Sequence, residues 1–105
     1  MADLARMLQQ AQAMQTKVQQ MQEDLAAQTV TGSAGGGIVL VEADGKGQIT
    51  KVKIDRMIID PNDVAILEDL IVVAVNEAQS KAADLAKIEM AKVTGGLDLP
   101  FKLPV

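Results

Sequence analysis

Two basic residues near the start of the chain share one side of a predicted helix. Arg6 and Lys17 are eleven residues apart, which at about 100° per residue leaves only about 20° between them around the helix axis. Gln10 lies near this face, and seven glutamines fall between Gln9 and Gln22. Guanidinium, ammonium and amide groups in one row can contact phosphates and base edges. This row is a candidate nucleic-acid surface, and an ordinary solvated helix face is the alternative.

A second predicted helix carries a similar row. Lys81 and Lys92 have the same eleven-residue separation, and Lys87 lies on another face of that helix. Lys51 and Lys53, on a predicted strand, are secondary candidates together with Gln10. Three carboxylates dilute the basic signal on the helices: Asp24, Asp84 and Glu89. The net charge of −4 also opposes long-range attraction to a polyanion. Binding would therefore depend on local clustering of these cations.

The residues needed for most catalytic chemistry are missing. The chain has no His and no Cys, which removes the commonest general base, the commonest metal ligand and every thiolate. Ser33 and Ser80 have no basic partner that the sequence identifies. We therefore expect no enzymatic activity, no cofactor, no metal site and no small-molecule substrate. The absence of Cys also fits a reducing compartment.

The opening segment has the apolar spacing of a helix that pairs with another helix. Apolar residues recur at alternating intervals of three and four, which predicts a helix from about Asp3 to Ala27 with Asp3 as its N-cap. We call this row the seam; it consists of Leu4, Met7, Ala11, Met14, Val18, Met21 and Leu25. Packing on the chain's own core is the alternative to pairing. The seam is best interpreted as packing on the second helix.

Three strands are predicted after this helix. Thr29–Thr31 is short, Ile38–Ala43 is apolar on both faces, and Gln48–Asp55 alternates between polar and apolar residues. Asp44–Gly47 joins the last two strands as a hairpin turn. The glycines before Ile38 lead into a strand rather than a helix, which argues against a phosphate-binding loop. Because the central strand is apolar on both faces, we expect something to cover both.

The second helix is predicted to start at Asp60-Pro61, with Asp60 as cap and Pro61 in the first turn, and to end at a C-cap glycine, Gly95 or Gly96. Its segment Leu70–Val75 is apolar nearly all round, so we expect it to be deeply buried. The tail, residues 97–105, alternates apolar residues with Pro and charged residues, which indicates an extended segment laid on an apolar surface. Disorder of the tail is the alternative.

These elements form one α+β domain over residues 1–105. A compact chain of this length is about 34 Å across, whereas the two helices are about 37 and 48 Å long. We therefore expect them to leave the globule side by side as an arm. The apolar strand and helix block then favour a symmetric homodimer, and the predicted interface consists of Ile38, Leu40, Leu70 and Val73. No segment has the length and apolar character of a membrane span, so a cytoplasmic protein with no membrane partner is expected.

The order of these segments resembles the YbaB/EbfC family of bacterial nucleoid-associated proteins. The resemblance covers almost the whole chain, and its most specific pieces are VTG from Val30, KVKID from Lys51, LEDLI from Leu67 and TGG from Thr94. It implies an α-β-β-β-α chain that dimerises through its sheet region, with helical arms like tweezers. It also implies a nucleoid-associated protein that binds double-stranded DNA, changes its conformation and influences gene expression. The family offers no contact residues to carry over, so the site rests on the helix rows.

A second reading of the same features is a protein-interaction module. In that reading the seam and the Leu/Pro-rich tail would hold another protein, and no DNA would be bound. The two readings differ in whether nucleic acid is required for the partner to be retained. For DNA binding through about four to six phosphates, the log–log salt slope should be roughly −4 to −5.

Overall fold

The computed structural model describes residues 2–94. Two long helices flank a three-stranded antiparallel sheet, which confirms the predicted α+β class and α-β-β-β-α order. A short 3-10 helix, Arg56–Ile58, lies between the sheet and the second helix. The bounds of the main elements are α1 Ala2–Ala26, β1 Thr29–Ala34, β2 Val39–Asp44, β3 Ile49–Ile54 and α2 Val64–Thr94.

The sheet is a meander in which β2 is central and β1 and β3 form the edges. The predicted hairpin turn is present: the Asp44 carboxylate accepts hydrogen bonds from the backbone N–H groups of Lys46 and Gln48 at 2.9 and 3.0 Å. The tight β1–β2 connection uses Gly35, Gly36 and Gly37, all with positive φ. Residues with a side chain rarely adopt that conformation, so the glycine run is explained by the turn.

The core lies between one face of β2 and the first half of α2. Val39, Val41 and Ala43 are fully buried and face α2, while the intervening Leu40 and Glu42 are only half-buried. Among residues 2–94, no helix covers the face of the sheet that carries Leu40. The expectation that both faces of this strand are covered is therefore met on one face only.

Small residues let α2 approach the sheet closely. Ala74 and Ala78 of α2 are fully buried, and Gly32 of β1 lies beneath them. A Cβ at Gly32 would collide with the carbonyl oxygen of Ala74 and the backbone nitrogen of Ala78. Gly32 therefore serves a close backbone approach rather than flexibility.

The start of α2 differs from the prediction. The Asp60 carboxylate accepts a hydrogen bond from the N–H of Asn62 at 2.9 Å, and the Asp60 carbonyl accepts one from Asp63 at 3.0 Å. Asp60-Pro61 is thus the start of a separate β-turn, for which Asp and then Pro are favoured residues, and α2 begins at Val64. Likewise α1 begins at Ala2, so Asp3 lies in its first turn and is not its N-cap.

The Leu70–Val75 segment is less buried than predicted. Only Ala74 is fully buried, and Val72 and Val73 are 56% and 54% exposed. The physical reason is that α2 lies on a single sheet, which covers one face of the helix and leaves the opposite face in solvent. The prediction of deep burial was therefore wrong within this chain.

The two helices run antiparallel and make the molecule elongated, 72 × 25 × 17 Å with a radius of gyration of 19.7 Å, against about 13 Å for a compact chain of this size. This confirms the predicted protrusion. The seam is buried at Met21 and Leu25 and half-buried at Met14 and Val18. Every residue from Asp3 to Ala13 is exposed, so α2 covers only the second half of the seam.

The predictions for the C-terminal end concern residues outside those described. They are the C-cap at Gly95 or Gly96 and the extended tail of residues 97–105. The assignment of residues 1–105 to one domain likewise stays a prediction.

Candidate nucleic-acid interface

The polar face of α1 carries two accessible cations. Arg6, Gln10 and Lys17 are all exposed, and neither cation has an ion-pair partner within 4 Å among residues 2–94. No acidic residue lies between Leu4 and Gln22. The helix therefore presents Arg6 and Lys17 on a stretch that carries only positive charge.

Lys17 and Lys92 are brought together by the pairing of the helices. Both line a shallow groove between α1 and α2, whose other members are Gln20, Met21, Asp24, Glu89 and Val93. Lys92 is ion-paired with Glu89 at 3.2 Å. The groove thus holds two cations and two carboxylates, so its local charge is balanced, and Lys17 is its cation without an ion-pair partner in the described part of the chain.

Lys81 has a different environment from the one its sequence spacing suggests. Its Nζ donates a 2.8 Å hydrogen bond to the carbonyl oxygen of Thr31 and forms a 3.3 Å ion pair with Glu77. Thr31 belongs to β1, an edge strand. Lys81 therefore ties α2 to the sheet, and the predicted Lys81–Lys92 row does not present two equivalent free cations.

The remaining candidate cations lie on two separate surfaces. Lys87 is exposed on α2 with no ion pair among the described residues. On the sheet face that α2 does not cover, Lys51 of β3 lies opposite Glu42 and Lys53 opposite Leu40. Lys51 is thus beside a carboxylate, whereas Lys53 is beside an apolar residue.

Two exposed basic residues were missed by the sequence analysis. Lys46 lies in the hairpin turn, and Arg56 begins the 3-10 helix that follows β3. Arg56 and Lys53 line the same concavity, with Ile38, Leu40 and Ile54 among its apolar members. The spacing of an α-helix could not have found them, because Lys46 is on a turn and Arg56 is in a short 3-10 helix. A sequence signal for these two residues does exist: each basic residue is next to an Asp or Gly that forms a turn or cap.

Charge is separated along the molecule. Residues 60–77 contain five acidic residues and no basic one, whereas residues 4–22 contain two basic residues and no acidic one. The acidic stretch includes the turn and first half of α2 on the sheet. The basic stretch is on α1, and its first part extends beyond the last described turn of α2, as its exposure shows. The net charge of −4 is therefore concentrated away from the candidate interface.

Comparison with known proteins gives this surface a context. The model of the YbaB/EbfC DNA-binding family matches residues 1–97. This chain belongs to that family. The family resemblance found in the sequence is thus confirmed, and the match includes both helices and the whole sheet.

Relatives of this family member are similar over nearly their full length. The nucleoid-associated protein of Gemmatimonas aurantiaca is 53% identical over 102 residues, which cover 97% of this chain and 98% of the relative. The nucleoid-associated protein of Syntrophobacter fumaroxidans is 47% identical over 98 residues, covering 92% of this chain and 89% of the relative.

A solved structure shares the fold. The crystal structure of the uncharacterized protein HP0035 from Helicobacter pylori matches with a TM-score of 0.78, covering 87% of this chain and 96% of the other. At 20% identity this match supports the architecture alone.

Among residues 2–94 of this family member, no helix is long and apolar enough to cross a membrane.

Proposed function

We propose that this chain is a nucleoid-associated protein that binds double-stranded DNA as a homodimer, changes DNA conformation and so influences nucleoid organisation and gene expression. It does this without catalysing a reaction, in the cytoplasm, where the nucleoid lies. The observation that carries the proposal is membership of a DNA-binding family over residues 1–97. The names of the relatives, all nucleoid-associated proteins, support the cellular role.

The DNA contacts are assigned to the helical arm. Arg6 and Lys17 supply exposed positive charge, Gln10 supplies an amide beside them, and Lys87 and Lys92 add charge from α2. Lys81 contributes least, since its Nζ already holds Thr31 and Glu77. Lys51 and Lys53 on the sheet are the alternative contact surface.

Charge separation answers the objection raised by the net charge. At physiological salt the Debye length is about 8 Å, while the molecule is 72 Å long. We call the sheet and the first half of α2 the body. Repulsion from the acidic residues on the body is therefore largely screened at the exposed end of α1. DNA binding through Arg6 and Lys17 then depends on the local charge, which is positive.

The homodimer is assigned to the body. Val73 projects from the outer face of α2 and is mostly exposed. Leu40 is half-buried on the uncovered sheet face, which is the opposite side of the molecule, so one symmetric interface covers Val73 or Leu40 but not both. Ile38 and Leu70 are half-buried and pack against the core cluster, so a partner would cover only their edges. We assign the interface to the outer face of α2, where Val72 and Val73 are exposed, because an exposed apolar surface of this kind supports self-association. A symmetric pair would carry two arms.

Binding of a fluorescent duplex, followed by anisotropy across salt concentrations, tests the proposal. We expect binding at ~50 mM salt with a log–log slope of roughly −4 to −5. Absence of binding under those conditions would refute the function. A sedimentation measurement on the same sample reports whether the bound species is a dimer.

A matched pair of double variants then locates the contact. Arg6→Glu/Lys17→Glu and Lys51→Glu/Lys53→Glu change the net charge equally, one on α1 and one on β3. We expect the α1 variant to lose most of its affinity and the β3 variant to retain it. The reverse result would place DNA on the sheet, and wild-type affinity in both would exclude both surfaces. Lys87→Glu/Lys92→Glu measures the contribution of α2.

A further inference from the structure

The first half of the seam is an apolar surface without a cover among the described residues. Leu4, Met7 and Leu8 are 60%, 64% and 59% exposed. Leu4 and Met7 belong to the same seam as Met21 and Leu25, which α2 buries, and Leu8 flanks it. These three large apolar side chains lie within about one turn of each other along the helix, so they form a contiguous patch rather than scattered exposure.

The direction of α2 points its C-terminal end toward this patch. Ala82 and Ala86 of α2 lie beside Leu25, whereas Val93 lies beside Lys17. The helices are therefore antiparallel, and the chain leaves Thr94 next to the middle of α1. Residues beyond Thr94 begin where the covered part of the seam ends.

We propose that the C-terminal segment, residues 97–105, packs along Leu4, Met7 and Leu8 of the same chain and completes the cover of the seam. The proposal concerns the chain's own surface and does not depend on DNA binding. It also does not follow from family membership, because the matched region ends at residue 97.

The length and spacing of the segment fit this role. Eleven residues follow Thr94, which reach about 36 Å when extended, whereas Met14 and Leu4 are about 15 Å apart along the helix. Alternate side chains of an extended chain are about 6.6 Å apart on one face, close to the mean seam spacing of about 5 Å. The segment's apolar residues occupy such alternate positions: Leu97, Leu99, Phe101, Leu103 and Val105.

The prolines favour docking on a helix over docking on the sheet. Pro100 and Pro104 have no N–H group, so the segment cannot form a continuous hydrogen-bonded ladder at the edges of β1 or β3. Contact through side chains alone, as on the seam, has no such requirement. The tether also gives the segment a local concentration in the millimolar range, which a separate protein would not match.

Docking would leave the proposed DNA contacts free. Arg6 lies about 100° around the helix from Met7, so a segment on the seam does not cover the guanidinium. The segment would then cover the seam side of α1, while the side that carries Arg6 stays accessible to phosphates.

Hydrogen exchange on the full chain tests whether the segment protects α1. Leu99→Ser/Phe101→Ser should raise amide exchange of residues 4–14 about tenfold. The matched control is Asp98→Ser/Lys102→Ser, which changes two charged residues between the apolar positions of the segment and leaves the net charge unchanged. Amide exchange of residues 4–14 should then stay at the wild-type rate. Equal exchange in both variants and wild type would overturn the proposal.

A spin label establishes where the segment lies and whose surface it covers. The chain has no Cys, so Lys102→Cys gives a single labelling site at a polar position of the segment. We expect broadening of the methyl signals of Leu4, Met7 and Leu8 within one chain. If those signals stay sharp, or if broadening occurs only between chains in a mixed sample, the intramolecular proposal is wrong. DNA binding of the Leu99→Ser/Phe101→Ser variant, measured in parallel, keeps this result separate from the proposed function.

Discussion

The first half of α1 and the first half of α2 expose similar amounts of apolar side chain in opposite electrostatic surroundings. On α1, Leu4 and Met7 are exposed beside Arg6. On α2, Val72 and Val73 are exposed on a helix that carries Glu68 and Asp69. The α2 segment is fixed by the sheet beneath it, whereas no described element covers the α1 segment.

The charges around each apolar surface determine which kind of partner that surface suits. A rigid apolar face with surrounding carboxylates repels DNA and favours another protein surface, which agrees with the proposed homodimer interface on α2. A projecting helix with cations and glutamines on one side suits phosphate contact.

The attachment of α2 to the sheet should be the most sensitive feature of the body. Gly32→Ala places a Cβ against the backbone of Ala74 and Ala78, so α2 must move away from the sheet. We expect a loss of at least about 3 kcal/mol in the free energy of unfolding, measured by urea denaturation. Gly36→Ala is the control: it meets nothing within 4 Å but has a φ of +71°, so about 1 kcal/mol is expected. If both variants lost the same free energy of unfolding, close packing of α2 on the sheet would not be the reason for the sensitivity of Gly32.

The body surface should control self-association. Val73→Asp buries a charge at the proposed interface, and we expect the dimer dissociation constant to rise about 100-fold, measured by sedimentation across a dilution series. Leu8→Asp introduces the same charge on the arm at similar exposure, and the dimer should persist. Loss of the dimer in the Leu8 variant, with a stable dimer in the Val73 variant, would move the interface to α1.

The arm should control the salt dependence of DNA binding. Arg6→Gln/Lys17→Gln removes two cations without adding repulsion, so the log–log salt slope should become about 2 less steep, with affinity reduced about tenfold to 100-fold near 100 mM salt. Anisotropy titrations give both quantities. Lys46→Gln/Arg56→Gln removes the same charge from the turns of the body. A change confined to that second variant would reverse the assignment of roles.

Lys81 should behave as a residue of the body, although its sequence spacing groups it with the arm. Lys81→Ala removes the hydrogen bond to Thr31 and the pair with Glu77. Both are exposed, so we expect a loss of only about 0.5–1 kcal/mol in thermal or urea unfolding. DNA affinity should fall no more than it does in Lys87→Ala, which is expected to unfold like wild type. A larger loss of DNA affinity in Lys81→Ala would return this residue to the interface.

Much of the fold was predictable because its signals are local. The seven-residue repeat predicted α1 to within one residue at each end, and Asp44-Gly45 predicted the β2–β3 hairpin. The start of α2 was wrong because Asp60 and Pro61 favour a β-turn as well as a helix start. Local sequence does not distinguish these two uses of the same residue pair.

Burial was less predictable, because it depends on what lies opposite. The apolar segment Leu70–Val75 indicated burial on all sides, yet the single sheet covers only one side. Similarly, the seam is equally regular along its whole length, so the sequence did not show where the cover by α2 ends. In the structure α2 covers Met21 and Leu25 and leaves Leu4 exposed. The candidate site shows the same limit: Arg6 and Lys17 have no ion-pair partner among residues 2–94, while Lys81 is held by a residue of β1.

Sequence alone is enough to obtain the element types, the absence of His and Cys, and the helical face shared by Arg6 and Lys17. These follow from residue types and from the fixed geometry of a helix turn or hairpin. Tertiary packing sets which cations of the described residues are ion-paired and which part of the seam is covered. Lys81 and Thr31 are 50 residues apart in the chain, and no local spacing predicts a contact made by the packing of α2 on the sheet.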